Sequence, residues 1–375
     1  MPDRARRTRL VLSLILCSRN DSYMGNSVWR LQTALDFLAA NVCALGREAD
    51  VEILVTDWGS DAPLRDALSL SPEAARMTAF ISVPLDTAKA LQRDSPFAEV
   101  IALNVAARRS RGEFIGRIDQ DTLVGRGFLS MFFDITDRTR VLNPPLAMGF
   151  SNIKYVNYRF AVRCPSFTSV EWFVRVFGPW LKRQNWRSTT RFYEDAVGIW
   201  LVRRDVWEEC GGYDERMIYM NAMETNMVKR LLPKHQIVDL GAMCNYDFYH
   251  LEHYYPWTPR RSSVYRKVNP HLPFSQPDAI NPNGVSWGLS DHRLDMVPAR
   301  ARTEGGGSTV GAIAFLRFAG LMVRVLPATL YDWTGLTARI TASRFQNTWR
   351  RLRGHPVGQW PGLVVTRWKA RRSRA

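Results

Sequence analysis

The sequence predicts an α/β chain built on a mainly parallel sheet with helices on both faces. Three observations carry that reading. Short apolar, β-compatible runs alternate with stretches of helical period from residue 10 to about residue 240. Three of those runs stop at polar turns, Ser18–Asp21, Asp57–Asp61 and Asp119–Asp121, the strand-end position at which open parallel sheets bind ligands. And 375 residues with 46% hydrophobic content can bury one large core plus an appendage.

The first run is Leu10–Leu16. Arg4 to Arg9 ahead of it imitates a secretory signal, but the run is short and no A-x-A site follows. Leu16 before Cys17 is too large for lipoprotein processing, so the run reads as a buried strand. Leu31, Leu35, Leu38, Val42 and Leu45 then mark one face of a helix, with Asn26 or Ser27 to cap it and Gly46 to end it. Val51–Thr56 is the second strand. A helical stretch near Ala62–Leu70, a strand at Thr78–Val83 and a helix at Ala98–Arg109 follow. Phe114, Ile115 and Ile118 form the strand that ends in Asp119-Gln120-Asp121. Beyond it the pattern loosens into an aromatic-rich segment. Regularity returns with a strand at Gly198–Val202, helices at Arg204–Cys210 and Ala222–Leu232, and a strand at Gln236–Leu240. Tyr255–Pro298 reads as irregular, and Glu304–Ser308 as a linker. The main domain is thus expected over 1–300, with halves at about 10–125 and 126–300, and a tail over 301–375.

Five scattered cysteines without CxxC spacing indicate neither a disulfide framework nor a zinc site, and hence a reducing compartment. The net charge is +16, and residues 301–375 hold 13 Lys/Arg against 2 Asp/Glu, so 13 − 2 = +11 of it lies there. A basic tail calls for an anionic partner. Val310–Leu326 is apolar except for Arg317 and Arg324. Two arginines cost about 5–7 kcal/mol at a bilayer centre, while the apolar residues return roughly 3–6. A basic amphipathic helix lying in the interface fits better than one that spans. Trp349, Trp360 and Trp368 among arginines continue that character, and nucleic acid is not the expected partner.

Asp119 and Asp121 are two hard oxygen ligands at i and i+2, which a turn can converge on one point. Together they suit Mg²⁺ or Mn²⁺ with a diphosphate in its remaining sites. Glu224 follows Asn221-Ala-Met, a capping-box arrangement in which Glu reaches back to the cap's N–H.

These residues form an ordered series. It runs from Ser18-Arg19-Asn20-Asp21 through Val55-Thr56-Asp57-Trp58-Gly59-Ser60-Asp61, Asn104-Val-Ala-Ala107, Gly112-Glu-Phe-Ile and Asp119-x-Asp121. It ends with Arg203-Arg204, Gly211-Gly212-Tyr213-Asp214-Glu215 and Glu224. Over Leu10–His250 the series resembles a family 2 glycosyltransferase of GT-A fold. The resemblance implies inverting, metal-dependent transfer of a sugar from a nucleotide-sugar donor to a saccharide or lipid-linked acceptor. It implies donor contacts at Asn20, Asp21 and Asp57, with Mn²⁺ or Mg²⁺ on Asp119, Asp121 and a histidine. For that histidine, His250 is preferred to His253. Glu224 would be the general base, although Thr225 stands where the family carries a second acid. Glu194, Asp195 and Trp186 are the expected acceptor contacts. The basic tail places the expected enzyme on the cytoplasmic face of a bacterial membrane, in surface polysaccharide synthesis. A nucleotidyltransferase would need a Gly-rich loop after its first strand, and Ser18–Met24 is not one. A non-catalytic binder of anionic surfaces would depend on the tail alone.

Overall fold

The computed structural model describes residues 10–23, 25–139, 146–181, 198–219, 222–253, 267, 269, 280–303 and 313–327. The first third alternates as expected: β1 (Leu12–Ser18), α1 (Ser27–Cys43), β2 (Val51–Trp58), α2 (Pro72–Met77), β3 (Thr78–Val83), α3 (Leu85–Gln92), α4 (Glu99–Arg109) and β4 (Phe114–Ile118). Next come β5 (Thr122–Val124), α5 (Arg126–Thr139), β6 (Met148–Ser151), β7 (Lys154–Val156), α6 (Tyr158–Ala161) and α7 (Phe167–Phe177). The rest comprises β8 (Ile199–Arg203), α8 (Arg204–Glu209), α9 (Met223–Leu231), β9 (Ile237–Asp239), α10 (Leu240–Met243), β10 (Phe248–Leu251) and β11 (Met296–Pro298).

An eight-stranded sheet runs in the order β11-β3-β2-β1-β4-β8-β6-β9. Its heart, β3-β2-β1-β4, is parallel throughout, while β8 and β11 join it antiparallel. The chain steps outward from β1 to β2 and β3 on one side, then returns to place β4 on the other. The carboxyl ends of β1 and β4 therefore flank a topological switch point, where such sheets open a ligand crevice. Both faces are covered. Ile15, Leu54 and Trp58 point into one apolar core with α4, and Leu12, Leu14, Leu16, Ile53 and Val55 into a second with α1. Burial on both faces explains why these strands read as continuous apolar runs rather than alternating ones.

Two local features fix the frame. Asn104, buried in α4, accepts from the Tyr213 N–H at 2.9 Å and donates to the Tyr213 carbonyl at 2.8 Å and to Glu215 at 3.0 Å. One amide thus pins the Gly211–Glu215 loop, whose Gly212 sits at φ +73° against Asn104. Gly112 enters β4 hard against β1, and a Cβ there would lie 2.6 Å from the Ser13 backbone nitrogen. Backbone cannot yield as a flexible side chain does. Gly112→Ala should cost about 1–3 kcal/mol, seen as a lower denaturant midpoint at unchanged slope.

Several sequence expectations are corrected. Ala62–Leu70 holds only a short 3₁₀ turn, Leu64–Ala67. Asn26 does stand at the start of α1, but in a left-handed conformation and without a side-chain cap. Within the stretch read as irregular, Met296–Pro298 adds an edge strand to β3. Pro298 is tolerated because an edge leaves one side of the strand without ladder partners. A second, three-stranded sheet, β5-β10-β7, was not foreseen. The chain divides into two compact units, Met1–Ala319 and Gly320–Ala375. Residues 313–327 form a helix. That helix buries Ala314, Phe318, Met322 and Val325 and exposes Ile313, Phe315, Leu316 and Val323. Among the described residues no helix is long and apolar enough to cross a membrane.

Candidate active site

The second sheet explains the position of Asp121. β5 begins at the next residue and pairs antiparallel with β10, setting His250 opposite Thr122. The Leu251 N–H donates to the Asp121 carbonyl at 3.0 Å, which locks the register. As a result His250 Nδ1 lies 3.0 Å from Asp121 Oδ1, and His253 Nε2 lies 3.3 Å from Asp121 Oδ2. One atom from each of the three residues falls within 4.8 Å of the others, a spacing that could hold a metal ion. Arg30 of α1 approaches from behind, its Nη1 3.6 Å from Asp121 Oδ2 and its Nη2 donating to the Tyr23 carbonyl.

Burial alone would raise the Asp121 pKa, but His250 and His253 outweigh it and hold the carboxyl well below its usual range. Burial likewise works against protonated His250, yet Asp121 wins and its pKa is raised. For His253 burial prevails and lowers it. The His250 Nδ1 contact has ion-pair distance but not the alignment of a hydrogen bond. With His253 Nε2 against the other carboxylate oxygen, donor atoms of Asp121, His250 and His253 lie close to one another. The residues therefore fit a metal. Two imidazoles with one carboxylate suit a divalent transition-metal ion better than Mg²⁺, which takes oxygen ligands.

Asp119 goes elsewhere. The strand ends at Ile118, and the chain turns through Gln120, so the alternation that would align i with i+2 stops applying. Asp119 Oδ1 instead lies 2.6 Å from Nη2 of Arg117, a buried arginine in β4. Burial, together with the neighbouring Asp121 and Glu99, pushes the Asp119 carboxyl up to about 7 despite Arg117. Asp119 thus pairs with Arg117 while staying close enough to Asp121 and His250 to feel their charges.

Glu224 sits on the far side of the same guanidinium, its Oε1 3.4 Å from Arg117 Nη1. It is the second residue of α9, behind Ala222 at φ 66°, which makes no side-chain cap. A capping box needs Glu at the third position behind a side-chain cap, so that reading does not hold here. Asn221 lies outside the described residues. Burial raises the Glu224 pKa, with Arg117 pulling the other way.

The remaining donor residues build loops. Asp57 ends β2 with Oδ1 accepting from Ser60 Oγ and Oδ2 accepting from the Leu64 N–H at 2.8 Å. Its pKa is raised by burial. Asn20 donates its N–H to Ser60 Oγ at 2.8 Å, tying the loop after β1 to the loop after β2. Asp21 pairs with Arg19 and accepts from the Tyr23 N–H. Ser18 Oγ donates to Gln120, so the turns after β1 and β4 also touch. Asn20, Asp21, Asp57, Asp119 and Asp121 therefore stand around one switch-point crevice. Glu194, Asp195 and Trp186 lie outside the described residues. Among the aromatics, Phe160 and Phe173 are core, and Trp172 packs against Phe315 and Phe318. Sequence reasoning passed over Arg117 and Arg30. The signal for Arg117 was its place in an apolar strand, where a charge must have partners.

No protein-family model matches the chain, and no curated protein matches it. Solved structures of similar fold exist at low identity. Staphylococcus aureus TarS residues 1–349 align at 15% identity and TM-score 0.39, covering 64% of this chain and 60% of that one. The same fragment in complex with UDP aligns at 14% and 0.37. The catalytic domain of Drosophila beta1,4-galactosyltransferase 7, in complex with xylobiose, aligns at 12% and 0.36, covering 68% and 74%. The chain thus spans well under two thirds of the TarS fragment's length. At these identities and scores the likeness carries no argument about substrate or mechanism.

Proposed function

We propose that this chain is a glycosyltransferase that moves a sugar from a nucleotide-sugar donor to a hydroxyl acceptor with inversion. The observations that carry the reading are an Asp121–His250–His253 cluster in the turn after β4 and a separate buried carboxylate, Glu224, facing Arg117 of β4 across 3.4 Å. The ordered motif series supports it independently. Asp121, His250 and His253 would hold a divalent cation, preferentially Mn²⁺. When bound, that ion would supply positive charge against a departing diphosphate. Asp57 and Asn20 shape the loops where a nucleotide base or ribose would lie, and Asp119 remains a candidate contact to the donor. Glu224 takes the acceptor proton as the new glycosidic bond forms and the bond to phosphate breaks. A single carboxylate on the acceptor side suits direct displacement, and hence inversion.

The acceptor class follows from the tail. Exposed Ile313, Leu316 and Val323 with Arg317 and Arg324 suit a helix lying on an anionic membrane. A lipid-linked saccharide at the cytoplasmic face of a bacterial membrane is the acceptor this favours, in surface polysaccharide synthesis.

The test is calorimetry with UDP-, GDP- and dTDP-sugars, with and without Mn²⁺. One donor should bind, and bind more tightly with metal. Absence of binding by any donor to well-folded protein overturns the reading.

A further inference from the structure

We propose that Arg117 is a positioning residue for transfer, holding Glu224 in place by clamping its buried oxygen to strand β4. This rests on the function proposed above and adds a residue to it. Arg117 is 5% exposed, and its guanidinium meets three carboxylates from three different elements. Nη2 lies 2.7 Å from Glu99 Oε1, at the start of α4, and 2.6 Å from Asp119 Oδ1, beyond β4. Nη1 faces Glu224 Oε1, at the start of α9, across 3.4 Å. One side chain therefore links the turn carrying the Asp pair to the helix carrying the base.

The distribution of hydrogen bonds argues against a merely structural ion pair. Glu99 and Asp119 already compensate the buried charge through Nη2. Yet Nε and Nη1 make no hydrogen bond, and neither do Glu224 Oε1 and the buried Tyr213 hydroxyl. Leaving buried donors unsatisfied costs stability, so a group selected only for folding would be expected to saturate them. The unsaturated edge is the one turned toward Glu224. Catalytic hydrogen bonds are often long in the free enzyme and tighten in the complex. Glu224 keeps 16% of its side chain exposed while Oε1 is buried, so the exposure lies on the rest of the side chain. Oε1 is the oxygen that faces the guanidinium at ion-pair distance, and Oε2 is the one assigned here to the acceptor hydroxyl. Among the described residues, the charged and titratable groups that act on this carboxylate are Arg117 of β4 and Glu99 of α4, with the Tyr213 hydroxyl beside it.

The experiment compares wild type, Arg117→Lys and Arg117→Met. The donor is the nucleotide-sugar selected by calorimetry, and the assay reads release of nucleoside diphosphate with water or a saccharide as acceptor. Lysine keeps the buried charge compensated but is a point donor that cannot span three carboxylates. Arg117→Lys should bind donor within about threefold of wild type while turnover falls about 10²-fold. The acidic limb of its pH profile should move upward as Glu224 loses its fixed cation. Arg117→Met should lose at least as much, and if it does not fold Arg117→Lys decides alone. Turnover per folded Arg117→Lys molecule within about twofold of wild type at all pH values, with only melting temperature lowered, overturns the proposal. So does a loss confined to donor affinity. A wild type that binds no nucleotide-sugar fails before any variant is made and overturns the functional reading with it.

Discussion

Asp121→Asn is expected to abolish metal-dependent donor binding, with turnover down roughly 10²- to 10³-fold, equivalent to several kcal/mol of charge stabilisation. Asparagine keeps the shape but removes the anion between His250 and His253. Two consequences follow from the pKa directions. The His250 pKa is raised above that of an ordinary histidine, so a metal must compete with a proton for it. Mn²⁺ affinity in the wild type should therefore climb as pH rises through that shifted pKa. The metal-free protein should behave oppositely. The raised His250 contributes stability that is full below its unfolded pKa and lost as pH rises through its folded one. Asp121, held low, contributes stability above its own unfolded value, lost only as pH falls into the acid range. Asp121→Asn should weaken the neutral-range dependence, because His250 then loses the strongest anion that favours its proton and keeps only Glu252 and Asp119. Arg30 and His250 would be left buried beside a neutral amide, at a cost of about 3–5 kcal/mol. If that unfolds the protein, His250→Gln removes one ligand without stranding a charge. Mn²⁺ titration followed by electron paramagnetic resonance reads both variants. Unchanged Mn²⁺ binding in folded His250→Gln would sink the assignment.

The strands, the helices that flank them and the crevice were legible because both rest on local rules. β3 at Thr78–Val83 and β4 at Phe114–Ile118 have the bounds their apolar runs announce. The polar turns after β1, β2 and β4 do gather at one switch point. What failed depended on pairing distant segments. β5 and β10 are short, and 120-odd residues separate Thr122 from Leu251, yet their register alone delivers both histidines to Asp121. Periodicity within either strand carries no information about that partner. The same limit hid the ion pair of Asp119 with Arg117, because face alternation holds along a strand and lapses in the turn. Arg117 was the recoverable miss: strand alternation puts it on the face of Asp119, and burial obliges it to find carboxylates. The capping reading of Glu224 failed by a single residue of helix start, the boundary that local pattern defines least well.

Glu224→Gln separates a base from a helix-start acid. A carboxylate in the first turn of a helix interacts with its dipole for about 0.3–1 kcal/mol and has no part in turnover. A general base contributes about 10²- to 10⁴-fold. Transfer should fall by that factor in Glu224→Gln while donor and Mn²⁺ binding persist, because the cluster at Asp121 does not include Glu224. Stability should change little. Arg117 faces three carboxylates with one positive charge, and neutralising one of them leaves Glu99 and Asp119 to balance it. The wild-type pH profile supplies a second discriminant. Burial raises the Glu224 pKa above that of an ordinary glutamate, and a base works only when ionised. Activity should therefore be present above that raised pKa and fade as pH falls through it, with the acid limb displaced upward from the ordinary carboxylate range. In Glu224→Gln the residual rate should lose that limb. A variant that retained wild-type turnover and the same acid limb would assign the proton to another group. Asp119, pushed up to about 7 on the other side of Arg117, would be the first to test.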